Sequence, residues 1–203
     1  MRIGLSGVPG SGKTELANAI KKHFDSKNEK TLIIDNYVQD VEQDTILSLG
    51  FNAAYVGNIH VALERAARER KAFESKEYDH IITCGTFYET SSYAVQSLET
   101  DYSFLHTDAE KYDFAQRVEA TMRIFACFYI DLMKYDDIFY LSPLDISEDE
   151  RVVNLEKNLQ SAFNAFNLTE YTPLLTEGAD HEKIVNNRIK KVLEVLNANN
   201  TEG

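Results

Sequence analysis

The chain has 203 residues, 43% of them hydrophobic and 27% charged, a balance that excludes wholesale disorder and fibrous repeats and suits one large domain. Lysine and arginine number 21 against 33 aspartates and glutamates, and a net charge of −12 argues against a broad nucleic-acid footprint, which needs clustered basic residues. Cys84 and Cys127 form no CxxC pair, so neither a zinc site nor a disulfide framework is expected.

In chain order, strand-like runs occupy residues 2–6, 31–35, 80–84 and 137–141, with a fifth at 171–176 that Pro173 interrupts. Helix-like stretches alternate with them, which is the pattern of βαβ units and a parallel sheet. The first helix, over residues 13–24, places Leu16, Ala17 and Ile20 on one face. The second, over 55–73, repeats apolar residues at Ile59, Ala62, Leu63, Ala66 and Phe73, predicted to cover the sheet. Thr107 and Glu110 stand in capping-box spacing ahead of a long helix to about residue 134. Ser147 and Glu150 repeat that signal before a helix to about residue 166, and a last helix spans about 181–196. The expected organisation is a single domain over 1–197, a lid at about 142–166, and a frayed tail over 198–203.

The start, Met1-Arg2-Ile3-Gly4, leaves no room for the apolar core of a secretory signal, and the longest apolar run, residues 124–133, carries Asp131 and is too short to span a bilayer. The expectation is a cytoplasmic protein without membrane contact.

Gly7-Val8-Pro9-Gly10-Ser11-Gly12-Lys13-Thr14 has glycine, four residues, then Gly-Lys-Thr, between a predicted strand and a predicted helix. Glycines let such a loop bend around phosphates with its N–H groups turned inward, and the following helix N-terminus adds positive potential. Lys13 is placed to reach the β- and γ-phosphates of ATP, and the Thr14 hydroxyl to join a Mg2+ shell. Chance alone produces the four fixed positions in roughly one chain in a hundred, before the strand–loop–helix setting is required.

Secondary features separate the branches that share this loop. No asparagine is followed by lysine, so the guanine signature of GTPases is absent, and the third strand runs into Cys84-Gly85-Thr86 without the expected acidic end, which weakens a motor-type ATPase. With this loop, Asp35 closing the second strand and Ser142-Pro143-Leu144 before Glu148-Asp149-Glu150-Arg151, the chain resembles the small P-loop nucleoside and nucleotide kinases, including kinase-like proteins of bacteriophages and the ribosylnicotinamide kinase type. The resemblance covers most of the first 175 residues. It departs from the family where Cys84-Gly85-Thr86-Phe87-Tyr88-Glu89 stands in place of an Asp-Arg-containing turn.

The resemblance implies a three-layer α/β fold with a five-stranded parallel sheet in the order 2-3-1-4-5, helices on both faces and a helical lid. It implies transfer of the γ-phosphoryl group of ATP, with Mg2+, to a nucleoside or (deoxy)nucleoside monophosphate, in the cytoplasm, that of the host if the chain is phage-encoded. It is compatible with a homodimer. Lys13, Asp35 and Arg151 are the candidate catalytic residues. Asp35 either takes the acceptor's proton or holds magnesium through water, or else caps a turn; Arg151 either clamps the phosphoryl group or pairs with Glu148 or Asp149. Tyr37, Phe51, Tyr88 and Tyr93 offer aromatic surface to a base, and Arg117 and Arg123 offer phosphate contacts, although six residues apart on one helix they cannot share a face. Glu89 either supplies the charge the third strand lacks or is a solvated residue at a helix start. Three rival readings remain: a kinase of a modified base in phage DNA, of the hydroxymethyluracil type; a nucleotide-binding module without chemistry; and an assembly ATPase.

Overall fold

A computed structural model describes residues 1–35, 53–90, 92–93, 107–116, 119, 123, 135–144, 150–165, 171–176 and 180–199. Five strands, β1 (Arg2–Ser6), β2 (Thr31–Ile34), β3 (His80–Cys84), β4 (Asp137–Leu141) and β5 (Thr172–Leu174), form one sheet in the order β2-β3-β1-β4-β5. All four pairings are parallel, with Ile3 opposite Ile82 on one side of β1 and opposite Asp137 on the other. The expected order holds, and β5 is only three residues long. Its proline is tolerated because β5 is an edge strand, bonded to β4 alone, so a missing N–H on the outer side leaves nothing unpaired.

Alternation along the strands builds the layers. Ile3 and Leu5 of β1, Ile82 and Cys84 of β3, and Phe139 and Leu141 of β4 share one face. There they pack with Leu16, Ala17, Ile20 and Phe24 of α1 (Lys13–Asp25) and with Val192 and Leu196 of the C-terminal helix, α4 (His181–Asn199). Burying each such side chain stabilises the fold by about 2 kcal/mol before chain entropy is counted. The opposite face carries Ile34 and Ile81 against Ala72 of α2 (Ala53–Ser75), and Tyr140 edge-on to Phe163 of α3 (Glu150–Ala165), ring centroids 5.7 Å apart. Among the described residues no helix is long and apolar enough to cross a membrane.

The Thr107 capping box forms as expected: the Thr107 N–H donates to Glu110 Oε2 at 2.9 Å, and the Glu110 N–H donates to Thr107 Oγ1 at 3.2 Å. Residues 108–116 follow as helix, with 119 and 123 also helical. Ser147 lies outside the described residues.

The buried side of α2 corrects the periodicity reading at Leu63 and Phe73; Ala66 is half-buried, and the side chains of Ile59 and Ala62 lie outside the described residues. Leu63 and Phe73 are 47% and 54% exposed, Phe73 with the Arg2 guanidinium 4.3 Å above its ring. The buried line runs instead through Val61, Arg65, Glu69 and Ala72, spaced four, four and three apart. Charged groups occupy it because partners await them: both carboxylate oxygens of Glu69 accept from Tyr135 Oη, at 3.0 and 3.2 Å, and Arg65 meets the segment after β3.

Candidate functional site

The loop between β1 and α1 lies at the carboxyl edge of the sheet, on its central strand. Gly7 permits a close crossing: a Cβ there would stand 2.5 Å from the Leu141 carbonyl oxygen and 2.7 Å from Ser11 Oγ. Gly12 is the N-cap of α1 with φ of 86°, a left-handed conformation that favours glycine, and it supplies no side-chain cap. The first N–H groups of α1 therefore keep their capacity for an external acceptor. Ser11 is buried with its hydroxyl unpartnered, whereas Pro9, Gly10 and Thr14 are exposed.

Lys13, the first residue of α1, turns back over the loop. Its Nζ donates to the Gly7 and Val8 carbonyls at 2.5 and 3.0 Å, and Glu89 Oε1 stands 3.2 Å away. Glu89 comes from a helical turn over residues 87–90 and is 2% exposed. Its other oxygen faces the Gly7 N–H at 3.4 Å, and Tyr93 Oη donates to Oε1 at 2.9 Å. The solvated helix-start alternative for Glu89 is thus overturned: the turn after β3 folds back against the glycine-rich loop and buries the carboxylate on Lys13. Burial and the neighbouring Glu89 charge push the Tyr93 hydroxyl pKa upward.

That turn is held by Arg65, which sequence reading missed. Its Nη1 donates to the carbonyls of Gly85 and Thr86 and, at 3.1 Å, to Thr90 Oγ1. Thr86 Oγ1 in turn donates to Ser6 Oγ at 3.0 Å, tying the end of β1 to the same segment.

The other expected site residues scatter. Asp35 is exposed just beyond β2, close enough that its charge helps raise the Cys84 thiol pKa, which burial pushes up to about 12. Cys84 belongs to the core. Tyr88 is 3% exposed, its ring edge-on to Phe163 at 5.4 Å, so the structure makes it core where a pocket wall was expected. Arg123 is exposed and donates to Glu119 Oε1 at 2.7 Å, the ordinary i,i+4 surface pair. Arg151 lies in the first turn of α3, its side chain outside the described residues, as are Tyr37, Phe51 and Arg117 altogether.

A loop whose close crossing at Gly7 admits no side chain, a helix start without a side-chain cap and a lysine turned back over the loop suit an anion such as the phosphates of ATP. The oxygens of Thr14, Asp35 and Glu89 suit Mg2+ in kind, and among the described residues no cluster of three acidic, histidine or cysteine residues forms a metal cage. Magnesium is usually held by substrate phosphates and one or two protein oxygens, so no such cage is required.

No protein-family model matches the sequence, and no curated protein matches it either. Solved structures do match in fold. A deoxyadenosine kinase from M. mycoides with dCMP and dCDP bound aligns over 98% of this chain and 100% of its own, at 17% identity and a TM-score of 0.59. The same enzyme with bound dATP aligns over 97% and 100%, at 16% identity and a TM-score of 0.61. A thymidylate kinase from Ehrlichia chaffeensis aligns over 97% and 98%, at 14% identity and a TM-score of 0.54. The chain shares the fold of these solved kinases.

Proposed function

We propose that this chain is a P-loop phosphotransferase that moves the γ-phosphoryl group of ATP to a nucleoside or deoxynucleoside monophosphate. The observation that carries the reading is the lysine-capped glycine cradle at the start of α1, set on the central strand of the sheet. The full-length fold match to kinases of deoxynucleosides and of thymidylate supports nucleosides and nucleotides as the acceptor class.

In this reading Lys13 exchanges part of its contact with Glu89 and the Gly7 and Val8 carbonyls for the β- and γ-phosphates. Thr14 and Glu89 are the residues that would hold Mg2+, which supplies charge neutralisation at the transferring phosphate. Asp35, beyond β2, receives the proton of an acceptor hydroxyl as the new P–O bond forms and the bond to the departing ADP breaks. Arg151 enters from the lid to clamp the phosphoryl oxygens. The protein is read as cytoplasmic and free of membrane contact.

The test is a panel of nucleosides, nucleoside monophosphates and duplex DNA containing modified bases, incubated with labelled ATP and magnesium. Transfer to free nucleosides or nucleotides is expected, and Lys13→Ala is expected to abolish it while leaving the circular dichroism spectrum intact. Label appearing only in DNA would select the modified-base reading. ATP binding with no acceptor-dependent ADP release would select a module without chemistry, and acceptor-independent hydrolysis coupled to ring formation an assembly ATPase.

A further inference from the structure

Arg188 stands outside every motif of the sequence, yet it is 3% exposed and meets three separate segments at the carboxyl edge of the sheet. Its Nη1 donates to the Ser11 carbonyl in the phosphate loop at 2.8 Å. Its Nη2 donates to the Ser142 carbonyl, just after β4, at 2.8 Å, and meets Ser142 Oγ at 3.1 Å and Thr176 Oγ1 at 3.2 Å. Nε donates to the Leu175 carbonyl, just after β5, at 3.3 Å. Ser142 and Thr176 are themselves joined, hydroxyl to hydroxyl, at 2.9 Å. Every acceptor is a carbonyl or a hydroxyl, and among the described residues no carboxylate neutralises the guanidinium.

We propose that Arg188 is a positioning residue of the nucleotide site, which orients the Ser11–Gly12 peptide for phosphate binding and locks the loop to the segments after β4 and β5. The inference rests on the phosphate-loop reading above and adds a residue from the far end of the chain. The physical reason is the planar trans peptide: its C=O and N–H point in opposite directions. With the Ser11 oxygen drawn to Arg188, the Gly12 N–H is turned to the opposite side, where a phosphate oxygen accepts it. A fork of five donors in one plane serves three loops at once, which a lysine does not reproduce. Its unneutralised charge, one peptide away from the cradle, also raises the local potential for an anion in a chain whose net charge is −12. An exposed Leu175 beside this cluster continues the same edge.

The experiment measures ATP, ADP and AMP affinities by titration calorimetry with magnesium, for wild type, Arg188→Lys, Arg188→Gln and Lys13→Ala, each at a temperature at which its circular dichroism shows it folded. Arg188→Gln is expected to weaken ATP and ADP about tenfold or more and AMP by less than threefold, with Arg188→Lys in between. A folded Arg188→Gln or Arg188→Lys variant whose ATP and ADP affinities stay within twofold of wild type, while Lys13→Ala loses them, overturns the role of Arg188. If Lys13→Ala also binds ATP as wild type does, the phosphate-loop reading falls and the proposal with it. Should neither Arg188 variant fold, the wild-type chain decides: the Arg188 Nε–H resonance is expected to shift on addition of ADP with magnesium and not with adenosine, and an unmoved resonance at saturation refutes the coupling.

Discussion

Replacing Glu89 by glutamine removes the one carboxylate shown on the loop lysine while keeping its shape. At the observed 3.2 Å the two unit charges attract by about 5 kcal/mol at an effective dielectric constant near 20. Desolvation of both groups, 10% and 2% exposed, offsets part of that attraction. The Gly7 and Val8 carbonyls still hold the ammonium group after the substitution. The expected net loss is about 3 kcal/mol, at the lower end of what breaking a buried pair from one side costs. For a chain of this length that lowers the melting temperature by roughly 6–12 °C. Thermal unfolding of wild type, Glu89→Gln, Lys13→Met and the double variant, followed by circular dichroism, closes a double-mutant cycle whose coupling isolates the pair. A Glu89→Gln melting temperature within about 2 °C of wild type, or a coupling below about 0.5 kcal/mol, would refute the burial of this pair as a stabilising contact.

Gly7→Ala places a Cβ 2.5 Å from a backbone oxygen that cannot yield, and is expected to cost about 3 kcal/mol or more; Gly12→Ala costs about 1–2 kcal/mol, from left-handed backbone strain, since its Cβ meets only the flexible end of Leu144 at 3.3 Å. Urea titration ranks the two, and the reverse order would contradict the loop geometry. Burial pushes the Cys84 thiol from 9.0 up to about 12 and the Tyr88 hydroxyl from 10.0 up to about 12. Both acids then stay neutral in the fold while they ionise in the unfolded chain, so stability falls as pH climbs towards 12, by about 1.4 kcal/mol per unit for each group, from about pH 9 for the thiol and from about pH 10 for the phenol. Urea denaturation from pH 8 to 11 checks the sign, and a Cys84→Ala variant with an unchanged slope would remove the thiol from the account. Arg151→Ala is expected to lower turnover more than ATP affinity; an equal loss in both, read from kcat and KM, would make Arg151 a ground-state binding residue.

Much of the fold is legible along the chain because its signals are local. Ile3 and Leu5, or Phe139 and Leu141, alternate at the strand period, and Gly7 to Thr14 joins a strand to a helix through a glycine pattern readable in eight neighbouring residues. The second helix shows where this stops. Leu63 and Phe73 look like its buried face, but Arg65 and Glu69 take that place, since hydrophobic periodicity counts side chains as apolar or polar and sees neither the Gly85 and Thr86 carbonyls that accept from Arg65 nor the Tyr135 hydroxyl that donates to Glu69. Tyr88 shows the opposite limit: an aromatic residue shortly after a strand suits a pocket or a core, and its packing edge-on to Phe163 places it in the core.

By itself the amino-acid sequence determined the five strands, their parallel α/β arrangement and the glycine-rich turn that joins the first strand to the first helix, each written in neighbouring residues whose spacing and conformational limits act within a few turns of chain. The tertiary structure alone decided which charges the loop meets. Glu89 reaches Lys13 and Arg188 reaches Ser11 across intervals that no local pattern spans, and their roles depend on burial and on donor geometry, properties a side chain acquires only once distant segments have packed around it.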